Sequence, residues 1–133
     1  MNKPIFVADT MAIILRLENR KMGTKAKACF ISAEKAEIGL IIPAMVLVEL
    51  CYLSEKKRIE TNLKEFKDYR NKFESITVEP MTEELIEKAF EINDIPELHD
   101  RIIAGTALKV GAKLITNDPI ITRSKFVEII WYI

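Results

Sequence analysis

Short apolar runs alternate with longer amphipathic stretches along the whole chain. Ile5-Phe6-Val7-Ala8 is too short for a helix and reads as a buried strand. A helix follows over residues 10–19, and Gly23 breaks the chain. Residues 24–38 have a helical pattern that Gly39 ends. Leu40-Ile41-Ile42 is a second buried strand, closed by Pro43. A very apolar helix spans 44–57 and a charged amphipathic one 60–74. Ile76-Thr77-Val78 is a third strand, stopped by Pro80. Thr82 caps a helix running through Asn93, with Glu83 and Glu84 at its positive end. Residues 99–110 form a further helix with Gly111 just past its end. Lys113-Leu114-Ile115-Thr116 is a strand, Pro119 opens a short turn or helix, and 127–132 is the last strand.

Short, continuously apolar strands that alternate with helices predict an α/β fold: a central, mostly parallel sheet flanked by helices on both faces. No repeat, low-complexity tract or linker interrupts the 133 residues, so residues 1–133 read as a single domain. Ligands of such folds bind outside the carboxyl ends of the strands, at a point where the strand order reverses. That rule gives a place and no ligand.

Composition narrows the function classes. Twenty basic and twenty acidic residues cancel, so the chain as a whole does not attract nucleic acid or anionic lipid, and polyanion binding must come from local patches. Residues 16–27 and 56–58 are the candidates, although solvated helix ends account for either alone. No apolar stretch is long enough to span a membrane, and MNKPIFVADT has neither the apolar core nor the cleavage site of a signal peptide. A cytoplasmic protein with no membrane partner is expected. Cys29 and Cys51 fall inside helical patterns without spaced partners and read as small buried thiols.

Candidate chemistry lies in the acids. Asp9 follows the first strand and Asp118 the strand at 113–116, both at carboxyl ends. Asp100 opens a helix, and its neighbours at i+3, i+4 and i+7 are Ile103, Ala104 and Ala107, so it sits on the apolar side. Each has a bland explanation as an N-cap, and Asp118 before Pro119 is a good capping pair. Glu49 is harder to explain. Its helical neighbours Met45, Val46, Tyr52 and Leu53 include no cation. An ionised carboxylate there costs several kcal/mol unless it is protonated, meets a distant Arg or Lys, reaches water, or shares a cation with other acids. A hard divalent ion would relieve the repulsion among several carboxylates and accept their oxygens.

Taken together, FVADT with Asp9, VLVEL with Glu49, LHDRIIAGTAL with Asp100 and LITND with Asp118 resemble the successive motifs of the PIN domain. Their order covers nearly the whole chain, and the length resembles the stand-alone VapC-type toxins of toxin–antitoxin pairs. The resemblance implies a Mg2+- or Mn2+-dependent endoribonuclease. Asp9, Glu49, Asp100 and Asp118 would form the acidic pocket, with the three aspartates as direct or water-mediated metal ligands. Glu49 would orient a water or complete the shell. Thr10, Thr116 and Asn117 would hydrogen-bond the ligands or the scissile phosphate. The implied reaction is hydrolysis of an RNA phosphodiester by a metal-activated water, leaving a 5′-phosphate and a 3′-hydroxyl. Where some relatives carry a further acid shortly after the last motif Asp, this chain has Pro119-Ile120-Ile121, which favours one firmly held metal over two. Arg16, Arg20, Lys21, Lys25 and Lys27 are candidates for a phosphate rim. A cognate antitoxin and a homodimer are the partners implied.

The remaining polar residues have simpler readings. Asp94 and Glu97 read as a solvated loop, His99 as a capping or packing residue, and Trp131 and Tyr132 as core or interface positions of the last strand. Two alternatives compete with the nuclease: a non-catalytic or RNA-processing module of the same fold, and a receiver-like domain with an aspartyl phosphoacceptor. The second lacks the paired acids expected after the first strand.

Overall fold

In the computed structural model, which describes residues 3–133, the chain alternates strand and helix from end to end. The strands are β1 (Ile5–Ala8), β2 (Gly39–Pro43), β3 (Ile76–Glu79), β4 (Lys113–Ile115) and β5 (Ile129–Ile130). The helices are α1 (Thr10–Leu17), α2 (Thr24–Glu34), α3 (Ala44–Glu55), α4 (Leu63–Lys72), α5 (Glu83–Glu91), α6 (Leu98–Val110) and α7 (Pro119–Thr122). All five strands pair in parallel in the order β3-β2-β1-β4-β5. The chain winds outward from β1 in one direction through β2 and β3. It then returns to the other side of β1 for β4, so the order reverses between β1 and β4. Both faces of the sheet are covered. Successive strand residues point to opposite faces, yet Val7 and Ala8 are both fully buried, as are Leu114 and Ile115.

The elements fall where the apolar pattern predicts them, and the differences concern their ends. α2 stops at Glu34 rather than 38, and Ala36 takes a left-handed conformation (φ 62°) as the chain turns into β2. Gly39 therefore opens a strand rather than ending a helix. α3, α4 and α5 each lose residues at their ends relative to the pattern, as fraying termini do. α5 keeps the expected cap, with the Thr82 hydroxyl accepting from Leu85 N–H, and α6 ends on Gly111 at φ 69° as expected. The last strand contracts to Ile129–Ile130. Trp131 and Tyr132 lie beyond it: their carbonyls accept the backbone N–H groups at the start of α2, from Thr24 (2.6 Å), Lys25 (3.1 Å) and Ala26 (3.2 Å). That contact requires Gly23, because a Cβ there would collide with the Trp131 and Tyr132 carbonyls. Cys29 is buried as expected, but Cys51 is exposed because it lies on the outer face of α3. No helix among the described residues is long and apolar enough to cross a membrane. Met1 and Asn2, the first residues of the segment read for a leader, lie outside the described residues.

α6 lies between the sheet and α5, packed on β1, β4, α3 and α5. It buries an unbroken run, Ile102 to Ala107. Its approach to α5 is set by Gly105, where a Cβ would stand 2.7 Å from the Cα and Cβ of Ala89. The small pair fixes the height at which α6 presents its first turn to the sheet edge. Gly105→Val is expected to lower folding stability by about 1–3 kcal/mol through overpacking, read as a lowered urea midpoint. An unchanged midpoint would mean that this crossing is loose.

Candidate active site

Four separate elements send carboxylates to the carboxyl edge of the sheet. Asp9 is the first residue after β1, held by its own N–H to the Ile115 carbonyl of β4 (3.1 Å). Asp118 follows β4, Glu49 lies midway along α3, and Asp100 lies in the first turn of α6. All four line one cavity of about 440 Å³, together with Thr10 and Asn117. The cavity lies where the strand order reverses between β1 and β4, the position expected of a ligand site in an open parallel sheet. Leu15, Leu53, Ile103 and Trp131 form its apolar walls.

Capping and site-building are combined in the same side chains. Asp9 N-caps α1, its Oδ1 accepting Ala12 N–H at 2.8 Å. Asp118 N-caps α7, its Oδ1 accepting from Ile120 (2.9 Å) and Ile121 (3.0 Å), with Pro119 at the first helical position. Each cap pins its aspartate to a backbone turn. Asp100 is not a cap. Glu97 fills that role for α6, accepting Asp100 N–H at 2.8 Å. The helix thus begins one residue earlier than its apolar pattern suggests, and Glu97, exposed in the loop before it, supplies its cap. Glutamate is an uncommon N-cap, so the sequence gives little sign of this. Asp94 is also engaged, accepting from the Ser124 hydroxyl and Lys125 N–H at 2.8 Å each.

Glu49 is compensated in a way that the sequence did not suggest. Its Oε1 accepts the Thr10 hydroxyl (2.5 Å), and its Oε2 lies 3.2 Å from His99 Nδ1. His99 is therefore a neighbour of the acid cluster and not a cap. Its sequence signal was only its place beside Asp100, because the partner lies fifty positions away. Thr116 is fully buried, and its hydroxyl accepts Asp118 N–H (3.1 Å) beside the Asp9 carboxylate.

Electrostatics mark Asp9 and Asp100. Burial pushes the Asp9 carboxyl from the usual 3.8 up to about 6; hydrogen bonds from Thr116 and Ala12 oppose the shift, and the charges of Asp118 and Glu49 add to it. Asp100 is likewise raised to about 6, first by burial and then by the charges of Glu97, Asp118, Glu49 and Asp9. Among the described residues no Lys or Arg forms an ion pair with Asp9, Glu49, Asp100 or Asp118. Such a donor set, all hard oxygen and uncompensated by cations, suits a hard divalent ion. Also among the described residues, no three His, Cys, Asp or Glu side chains converge as a ready-made ligand shell. The fit is therefore that of an ion held by one or two carboxylates with waters in the remaining positions, the manner in which Mg2+ is commonly bound.

The basic candidates separate. The Arg16 guanidinium is committed to Glu34 through two hydrogen bonds (2.9 and 2.6 Å), and Tyr69 donates to the same carboxylate. This places Arg16 in a second cavity between α1, α2 and α4, away from the acids. Arg20 pairs loosely with Glu18 at 3.4 Å. Lys21, Lys25 and Lys27 are exposed. Lys25 N–H donates to the carbonyl of Trp131, which lines the acidic cavity, so the start of α2 borders that cavity.

The PIN domain family model matches residues 6–127, from β1 to the segment before β5. The chain belongs to the PIN domain family. The PIN fold recurs in solved structures of low sequence identity. The VapBC2 complex of Rickettsia felis bound to a promoter DNA fragment matches at 18% identity and a TM-score of 0.73, over 96% of this chain and 98% of that one. DNA-bound VapBC from Salmonella typhimurium matches at 19% identity and a TM-score of 0.69, over 98% of each chain. VapC20 of Mycobacterium tuberculosis, described as a sarcin–ricin loop cleaving toxin, matches at 21% identity and a TM-score of 0.63, over 94% of this chain and 98% of that one. No curated protein sequence matches the chain.

The raised carboxyls have a measurable consequence for the metal-free PIN domain. A carboxyl whose pKa is higher in the fold than in the unfolded chain adds stability below about 3.8 and loses it as pH rises through about 6. Replacing Asp100 with Asn removes that loss. In EDTA the melting temperature of Asp100→Asn, relative to wild type, is expected to climb between about pH 4 and 7. A difference that stays flat with pH would show that Asp100 is not destabilised by its neighbours.

Proposed function

We propose that this PIN domain is a Mg2+- or Mn2+-dependent endoribonuclease and the toxin of a VapBC-like pair. The observation that carries the reading is the meeting of Asp9, Glu49, Asp100 and Asp118 in one cavity without a neutralising Lys or Arg. A divalent ion bound there would activate water and offset charge on a phosphoryl oxygen. Asp9, Asp100 and Asp118 would hold it, one or two of them directly and the rest through its waters, and the caps on Asp9 and Asp118 fix their directions. Glu49, held at one oxygen by Thr10 and approached at the other by His99, orients the attacking water and takes its proton. The water oxygen bonds to phosphorus as the P–O3′ bond breaks, and the departing O3′ gains a proton from solvent. The products are a 5′-phosphate and a 3′-hydroxyl. Asn117 in the cavity and the exposed Lys21, Lys25 and Lys27 would steady the RNA backbone.

The VapBC complexes that share the fold support a cognate antitoxin as partner of this chain, and a homodimer is the proposed assembly. The solved VapC20 toxin supports RNA as the substrate. Cleavage of single-stranded RNA in Mg2+ and its loss in EDTA test the activity. Asp100→Asn should remove it by more than the roughly 10–100-fold that loss of a supporting partner costs at a metal site, while circular dichroism stays native. Metal-independent cleavage, or full activity in Asp100→Asn, would refute the reading. Binding of RNA without cleavage would select the non-catalytic module. A small reading frame overlapping upstream, whose product binds this chain and silences it, would establish the toxin role.

A further inference from the structure

Beside the acidic cavity lies a second cleft of about 360 Å³, walled by Val48, Tyr52, Leu53, His99 and Glu49. It adjoins the acidic cavity, since Glu49 and Leu53 line both. Its character is different. Val48 is 55% exposed and Tyr52 54% exposed, two neighbouring large side chains on one face of α3. His99 contributes an imidazole tethered to Glu49. Lys56, which closes α3 one turn beyond Tyr52, has its ammonium 5.5 Å from the centre of the Tyr52 ring.

We propose that this cleft is a nucleobase subsite, receiving an unstacked base of the RNA whose phosphate lies among the acids. The inference rests on the nuclease reading of the adjoining cavity and goes beyond it by naming where a base is held. Three observations favour a base over other occupants. The cleft begins at Glu49, so a nucleotide with its phosphate in the acidic cavity has its base within reach. Tyr52 and His99 supply the aromatic faces on which single-stranded bases stack. Lys56 holds a positive charge over one face of the Tyr52 ring, leaving the other face for a base and suited to the phosphate of the next nucleotide on a strand leaving the acids. A purely apolar docking face for a helix would need neither the imidazole nor the lysine.

The test uses single-stranded hexaribonucleotides carrying 2-aminopurine at each position in turn, bound in Mg2+ to Asp100→Asn protein. Quenching at one position is expected, abolished by Tyr52→Ala and retained by Tyr52→Phe. Affinity should fall about tenfold in Tyr52→Ala, the order produced by loss of one base–aromatic stack. In the otherwise native protein, Tyr52→Ala should raise KM and leave kcat nearly unchanged. Equal quenching and affinity with and without Tyr52, or no quenching at any position, would overturn the subsite. So would a Tyr52→Ala protein that binds RNA normally but changes sedimentation from dimer to monomer, since the cleft would then be a contact between copies. Tyr52-dependent quenching, together with no cleavage by the native protein in Mg2+ or Mn2+, would keep the subsite and remove the nuclease reading.

Discussion

Burial of four carboxylates side by side is the constraint around which this domain is arranged. Asp9, Glu49, Asp100 and Asp118 stand at the carboxyl edge of a parallel sheet, and Asp9 and Asp100 are raised to about 6, first by burial and then by the charges of neighbouring acids. Like charges in a partly dry cavity are unfavourable, so the fold must hold them there by other means. It does so with backbone geometry. Asp9 and Asp118 are tied down as helix caps, Glu49 by the Thr10 hydroxyl, and Asp100 by a helix whose cap is supplied by Glu97. The stabilising interactions are local, and the destabilising one is long-range and open to relief by a cation.

The sheet order explains why these four meet. β1 lies at the centre, and the chain leaves it first toward β2 and later returns to its other side as β4. Asp9 and Asp118 consequently follow neighbouring strands, paired at Ala8 and Ile115. α3 descends from β2 on one side of β1, and α6 precedes β4 on the other. The Gly105–Ala89 contact then sets how deeply α6 sits, and hence where Asp100 and His99 are presented. A packing detail on one side of α6 is thereby linked to charge placement at its first turn.

Arg16 and His99 illustrate how position along a chain misleads about chemistry. Arg16 lies seven residues after Asp9 and looks like part of a phosphate rim, yet the helical turn carries it to Glu34 and Tyr69. His99 looks incidental, yet it faces Glu49. Both outcomes follow from helix geometry combined with a partner distant in sequence. Trp131 is a similar case: expected in the core or at an interface, it lines the acidic cavity because β5 ends before it.

The alternation of short apolar strands with helices determined the fold class, since fully buried parallel strands require apolar residues on both faces and helices on both sides. Strand ends next to Asp9 and Asp118, and an uncompensated Glu49 in an apolar helix, were likewise legible, because burial and local charge pairing depend on neighbours within a turn. Tertiary structure alone decided the partners of Glu49, the ion pair that removes Arg16 from the site, the exposure of Cys51, and the placing of the cleft at Tyr52 beside the acidic cavity. Each of these depends on the distance between residues tens of positions apart, which is set by strand order and helix packing rather than by any local pattern.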